Sequence, residues 1–563
     1  MAGSNASGKP QFPTLNSDQG EIRLLEIKPG ETQSPIECRY HTMNLNRLDR
    51  AYEALSYVWG AFDENSAHPL SIDNGVIQIT PALLEAIKHL RYSYTSRYLW
   101  IDAICINQSG DNEKTQQVNM MGQIYTRCDQ AIVWMGHLDT VTAADALALL
   151  RWLAGKQDKP WWLGDPNRCR VVGKALLIFM ELPWWIRIWT VQEAILPPRA
   201  MFLWGHLTIG RTTLFKASDS FFGDAPPMVP YEIHAERGIS CLTAALRGLS
   251  FTRNEPPIQL LFRWRFRQAT DRRDKVYGLI GFRSDLSLPT VKSCDYTIDA
   301  RTLFKRVTAD LIRLDYGLFP LIGRRGELAD LGKTEHFPSW AIDWAEPKDR
   351  KTICSNFWSH QTCWQTYCFT PDAGLLGLGG GLRMIGDDTL CLNGLLVDKV
   401  AVVESSHSDR SASRHGSGLK RVYQVVERWE EVVERFQTER PGALRRGWIR
   451  ELCCLAAGKF KQDCPDDHLV MADFIGEMIQ EQCLFVTEGG KFGIGPRNTE
   501  PGHEVWVVGG SRFPFLLKPI KPLEGTSMGG PNMTFVADCL VYGIMYGEAV
   551  RGREGEQVVF KLH

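Results

Sequence analysis

Leu99–Gln108 reads LWIDAICINQ, and this stretch decides the fold. Leu99, Trp100, Ile101, Ala103, Ile104 and Ile106 are apolar, enough for a strand buried on both faces. Asp102 interrupts the run, and Asn107 and Gln108 close it. An unpaired carboxylate is costly to bury, so Asp102 belongs at a strand end, facing partners or a ligand. In open α/β sheets ligands bind at the carboxyl ends of strands. An aspartate after an apolar run is also an ordinary cap for the next turn, and both roles stand open at this point.

Outward from this stretch, strand and helix patterns alternate. Tyr52–Trp59 (YEALSYVW) has strand character and stops at Gly60. Asp73-Asn74-Gly75 is a hairpin-type turn, and Val76–Ile79 follows in strand alternation. Thr80-Pro81 opens a helix with proline at its first position. Beyond Leu99–Ile106, Asp111–Cys128 reads as a helix and Ala131–Met135 as another buried strand ended by Gly136. Ala143–Leu153 and Val171–Met180 are helical, and Pro183 leads into a further helix, WWIRIWTVQEAIL, stopped by Pro197-Pro198. The alternation predicts an α/β fold with a mostly parallel sheet and helices on both faces, spanning residues 21–200. Residues 1–20 are polar and read as disordered. Residues 201–330 are mainly helical, and 331–563 form a β-rich C-terminal domain with a helical insert at about 419–480.

Composition narrows the function. At 563 residues the chain is too long for one core. Its 64 basic and 65 acidic side chains give a net charge of -1, so no overall field favours nucleic acid. No apolar stretch reaches the length of a membrane span, and the N-terminus lacks the apolar segment of a secretion signal. Fifteen cysteines without such a signal read as reduced thiols of a cytoplasmic protein.

Several enzyme classes lack their motif: there is no P-loop, no HExxH and no GxSxG. Gly377–Gly386 is glycine-rich without the strand and helix context of a dinucleotide fingerprint, and reads as a turn. Cys354, His360, Cys363 and Cys368 match no zinc spacing, so no metal site is expected. In Pro183–Glu193 (PWWIRIWTVQE), Glu193 follows Trp189 by four residues and so shares its helical face. Desolvation beside a tryptophan raises a carboxyl pKa, the condition of a working carboxylate. A structural Glu193 paired with Arg187, Arg199 or a backbone amide fits the same segment.

Together YEALSYVWG, LWIDAICINQ, Ala131–Gly136 and RIWTVQE resemble, in content and order, the fungal heterokaryon incompatibility (HET) domain over roughly residues 22–200. The downstream blocks DRRDKVYGLIG, PSWAIDW and FGIGPRNTEPGHEVWVVGG resemble those of stand-alone members; His503-Glu504 departs from their pattern, which usually has an acidic residue directly after glycine. The resemblance implies non-self recognition ending in cell death. A more distant resemblance reaches the toll/interleukin-1 receptor (TIR) domain, implying a TIR-like, flavodoxin-like sheet. There, Ser56 and Tyr57 stand at the end of a first strand, Asp102 at the end of a second, and Trp189 and Glu193 on a helix.

Enzymatic TIR domains cleave the nicotinamide–ribose bond of NAD. By that resemblance Glu193 is the catalytic carboxylate. Ser56, Tyr57, Trp59, Gly60, Asp102, Asn107, Arg187 and Trp189 bind the substrate, and no metal or other cofactor is required. The competing expectation is a non-enzymatic module that self-associates or docks on a partner, with an unidentified protein trigger.

Overall fold

The computed structural model describes residues 12–322, 337–345, 371–376, 383–405, 418–439, 482–521 and 530–563, apart from 17–18, 32, 48–49, 61, 74, 138–139, 224–226, 253–254, 283–287, 373, 375 and 387. The Cys354–Cys368 cluster, most of the 1–20 segment, the turn at 377–382 and the insert beyond 439 lie outside these residues. The chain forms two compact units, the first comprising 1–287 with 291–298, the second 288–290 with 299–563.

The first unit is built on nine strands: β1 (Glu21–Ile27), β2 (Glu37–Asn44), β3 (Glu53–Ser56), β4 (His68–Ile72), β5 (Gly75–Ile79), β6 (Arg97–Trp100), β7 (Gln130–Trp134), β8 (Ala200–Trp204) and β9 (Leu207–Gly210). They lie in the order β5-β4-β2-β1-β6-β3-β7-β8-β9. The centre, β6-β3-β7-β8, is parallel throughout. Counted in chain order it runs 2-1-3-4, the order in which flavodoxin-type doubly wound sheets begin. The flanks correct the expectation of a mostly parallel sheet. β1 is antiparallel to both β2 and β6, and the hairpins β4–β5 and β8–β9 extend the two edges. The sheet is therefore mixed.

Local chemistry explains the elements between the strands. Asp73 takes a left-handed φ of 53° in the β4–β5 turn. Thr80 caps α1 (Pro81–Leu90), its hydroxyl accepting from the Leu83 amide at 3.3 Å. The apolar run Leu99–Ile106 is not one strand. β6 ends at Trp100, and Asp102–Cys105 turns into the short α2, with the Cys105 amide donating to the Ile101 carbonyl at 2.7 Å. The helices α3 (Asp111–Arg127), α4 (Thr140–Leu153) and α5 (Pro166–Glu181) stand near their expected bounds.

The helix expected after Pro183 is broken. A 3-10 turn covers Pro183–Ile186, Arg187 is extended (φ −79°, ψ 137°), and α6 is confined to Thr190–Ile195. The cause is long-range pairing. Gln268 donates to the Ile186 carbonyl at 2.5 Å and accepts from the Ile188 amide at 2.9 Å.

That pairing also explains why the first unit does not end near 200. Downstream lie α7 (Arg211–Phe221), α8 (Tyr231–Ala235), α9 (Gly238–Thr252), α10 (Pro257–Trp264) and α11 (Asp274–Ile280). Of these, α9 packs on α5, α6 and α7, and α11 packs on α6. The expected separate region 201–330 is thus divided: its residues up to 287 and 291–298 belong to the first unit.

The second unit opens with α12 (Ala300–Leu311), capped by the Asp299 side chain at 2.7 Å from the Thr302 amide. It continues through β10 (Arg383–Ile385), β11 (Thr389–Ser405), the helix α13 (Gly418–Glu439), β12 (Gln482–Thr487), β13 (Phe492–Pro496), β14 (Glu504–Val508), β15 (Phe515–Pro519), β16 (Asn532–Asp538), β17 (Leu540–Val541) and β18 (Val558–Leu562). The long β11 pairs in succession with β18, β14 and β12, bending at irregularities between Leu396 and Asp398 and between Val400 and Val402. Because β14, β15, β16 and β18 also pair in sequence, β11 closes them into a barrel. Closure removes exposed strand edges, and Trp506, Phe515, Phe535 and Phe560 are buried together in one core. No helix among the described residues is long and apolar enough to cross a membrane.

Candidate functional site

The carboxyl ends of β3 and β6 open into a cavity of about 900 Å³ in the first unit. Trp59 and Gly60 line it from the β3 end, Asp102 from the β6 end, and Arg187 and Trp189 from the segment before α6. Gly60 turns the chain there with a φ of 71°, a conformation glycine adopts without strain. These five sequence candidates come together as expected. Ser56, Tyr57 and Glu193 do not line the cavity; they are buried. Asn107 is not on the wall either. Its side chain accepts from the Ser109 amide at 3.2 Å and hydroxyl at 2.7 Å, tying the turn before α3.

Asp102 is a wall residue and not the cap: Ile101 holds the N-cap position of α2, and Asp102 opens the helix. Its Oδ1 accepts from the Ala103 amide at 2.8 Å, and the Trp59 indole N–H donates across both oxygens at 3.0 and 3.1 Å. Burial raises its pKa, against the pull of Arg187 and these hydrogen bonds. The break before α6 lets Arg187 leave the helix direction, and its guanidinium donates to the Tyr57 carbonyl at 2.5 Å. Buried Arg267 holds the same corner, donating to the Arg187 carbonyl at 3.0 Å and to the Thr190 hydroxyl at 2.5 Å.

Glu193 is 2% exposed. The Trp184 indole donates to Ser56 Oγ at 2.7 Å, and the Ser56 hydroxyl donates its hydrogen bond to Glu193 Oε2. This is a directional relay from indole to hydroxyl to carboxylate. Burial pushes Glu193 up to about 7; the Arg187 charge opposes the shift, Asp102 adds to it, and the Ser56 bond opposes it. Trp189 and Glu193 keep the expected i, i+4 helical relation, the Glu193 amide donating to the Trp189 carbonyl at 3.2 Å. Their polar groups part company: Trp189, at the N-cap of α6, lines the cavity, whereas the Glu193 carboxyl accepts from Ser56. A Ser56→Ala substitution should raise the Glu193 pKa further and cost about 1–3 kcal/mol, since it leaves the Trp184 N–H without its acceptor. The check is thermal unfolding with a pH titration.

Another part of the wall escaped the sequence reading. Gln268–Asp271, Asp274 and Tyr296 line the same cavity. Asp274 Oδ2 accepts from the Trp189 indole at 3.0 Å, and its Oδ1 from the Tyr296 hydroxyl at 2.6 Å. Asp271 is engaged by Arg273 at 2.9 and 2.6 Å. The signal was present in DRRDKVYGLIG as two aspartates ahead of an apolar run, but local spacing did not tie them to the β3–β6 edge. No group of His, Cys, Asp and Glu among the described residues could hold a metal ion.

Comparison with known proteins agrees with this layout. Residues 52–193 match the heterokaryon incompatibility protein (HET) family, and residues 399–560 match the Het-6 beta-barrel domain. The chain is 25% identical over 419 residues to heterokaryon incompatibility protein 6, OR allele, of Neurospora crassa. That alignment covers 59% of this chain and 58% of the relative, so the chain spans little more than half of the relative's length. No solved structure matches. The HET match ends at Glu193, so the Asp274 wall lies beyond it. With a HET stretch on the parallel sheet and a Het-6 barrel in the second unit, the chain belongs to the fungal heterokaryon incompatibility protein family.

Proposed function

We propose that this protein acts in fungal non-self recognition, triggering cell death, and that its first unit does so by hydrolysing NAD at the nicotinamide–ribose bond. One observation carries the reading: a buried carboxylate, hydrogen-bonded to Ser56 and pushed up by burial to about 7, lies within the field of Arg187 and Asp102, which wall a roomy cavity with indoles and further carboxylates. The 2-1-3-4 order of the parallel strands supports the TIR-like comparison at the level of topology.

Cleavage breaks the bond between ribose C1′ and the nicotinamide nitrogen. The bonding pair leaves with neutral nicotinamide, and oxocarbenium character develops on the ribose, as in glycoside cleavage. Water then adds at C1′ and gives up a proton, yielding ADP-ribose, nicotinamide and H⁺. Asp102 faces the cavity and can stabilise the developing charge. Glu193, poised near 7, is the group able to take the proton, on condition that the Ser56 bond opens to admit substrate or water. Arg187 presents a charge for the pyrophosphate.

The burial of Glu193 favours a second reading, a module that signals by self-association or partner docking without chemistry. Full-length protein incubated with NAD separates the two. Nicotinamide release is expected, falling by about 10²–10⁴ in Glu193→Ala. Absence of release from both monomer and assembled protein, or release unchanged in the variant, rejects the catalytic role.

A further inference from the structure

The cavity holds two carboxylates fixed in the same manner, each by a tryptophan N–H. Asp102 is held by Trp59, and Asp274 by Trp189 with Tyr296 completing the clamp. Their charged surroundings differ. Asp102 stands within the field of Glu193, whereas the charges acting on Asp274 are those of Asp271 and Lys114. A carboxylate offers roughly four lone-pair positions. Asp274 commits one on each oxygen to its clamp, which leaves one on each oxygen for the cavity. Two adjacent acceptors, locked against rotation, are the complement of two adjacent hydroxyl donors, the vicinal diol of a ribose.

We propose that Asp274, clamped by Trp189 and Tyr296, is the specificity-determining carboxylate that accepts the ribose diol remote from the scissile bond and so selects NAD over its 2′-phosphorylated form. The inference rests on the NAD reading above and names which dinucleotide that site takes. A 2′-phosphate removes one of the two donors and sets a dianion against a half-buried carboxylate. Both changes cost binding: one leaves an acceptor unpaired, the other opposes like charges. Asp271 adds little to the repulsion, because Arg273 pairs with it. Lys114 tempers it, but its exposed ammonium is screened by solvent. An acidic residue on a ribose 2′-hydroxyl is also how dinucleotide folds of other kinds prefer NAD.

The test compares kcat/KM of the full-length protein for NAD and NADP, with Asp274→Asn and Tyr296→Phe alongside. Thermal shifts with ADP-ribose and its 2′-phosphate supply a readout free of catalysis. The expected result is a preference for NAD of at least about 100-fold. Asp274→Asn should narrow it at least tenfold, chiefly through KM, and Tyr296→Phe should narrow it less while keeping the carboxylate. ADP-ribose should stabilise the protein more than its 2′-phosphate does, and the difference should shrink in both variants. If NAD is cleaved but NADP is cleaved equally well, or the ratio survives Asp274→Asn, this inference falls and the NAD reading stands. If neither dinucleotide is cleaved and neither ADP-ribose compound shifts the melting temperature, the NAD reading falls and takes the inference with it.

Discussion

Arg23→Ala should destabilise the first unit by about 3–5 kcal/mol, the range for breaking a buried ion pair from one side. Arg23 is 0% exposed, and its guanidinium is fully engaged. It pairs in fork geometry with Glu113 at 2.6 and 2.8 Å, donates to the Cys105 carbonyl at 3.1 Å, and donates twice to the Pro13 carbonyl at 2.8 and 2.6 Å. One residue of β1 thereby ties the N-terminal segment, the end of α2 and the first turn of α3. Glu113 also accepts from the Asn107 amide at 2.8 Å, so the pair frames the turn that follows α2, the short helix that opens with Asp102. Alanine would leave Glu113 without its cation and the Cys105 carbonyl without its donor. Denaturant midpoints followed by tryptophan emission measure the loss. The paired variant Arg23→Met with Glu113→Leu should lose less than Arg23→Ala, because no unpaired charge remains buried. Equal losses in the two would mean that lost packing, not charge, sets the effect.

Glu193→Gln should have the opposite effect on stability while abolishing any NAD cleavage. In the folded chain burial pushes Glu193 up to about 7, from an ordinary value of 4.5. Between these values the folded state keeps a proton that the unfolded state has released, so stability falls as pH rises through this window and levels off above 7. Integrated over the shift, the loss is about 3 kcal/mol, taking 1.36 kcal/mol per pKa unit. Glutamine removes that titration and still offers an oxygen to Ser56. The variant should therefore melt close to the parent at pH 5 and well above it at pH 8. Parallel melting curves at both pH values would show that Glu193 does not carry this shift. A carboxylate kept at a cost to stability is the pattern expected of a site selected for work rather than for packing.

The parallel centre of the sheet was legible because its strands are buried on both faces. Ala131–Met135 and the start of Leu99–Ile106 read as unbroken apolar runs, and the Asp73–Gly75 turn and Thr80 cap announce themselves locally. The antiparallel flanks were not, since β1 and β2 carry Arg, Glu and His among their apolar residues, and their pairing is set across a connection rather than by either strand. The break at Arg187 was hidden for the same reason. Its backbone partner, Gln268, is distant in sequence, and the helical periodicity of WWIRIWTVQEAIL carries no trace of it. At the site, residues that end parallel strands could be named from the pattern, because topology sends strand ends to one edge. Asp274 and Tyr296 could not, since Asp274 reaches that edge through the packing of α11 on α6 and Tyr296 meets it there through their hydrogen bond.

The tryptophans around the site have an optical consequence. Of 18 in the chain, Trp59 and Trp189 each give their indole hydrogen to a cavity aspartate, and Trp184 is one hydroxyl away from Glu193. An excited indole is sensitive to the charge and proton-accepting power of its neighbours. Asp102, Asp274 and Glu193 thus each sit beside a built-in fluorophore, and substitution of the three rings one at a time would assign the intrinsic emission to separate parts of the site without an added label.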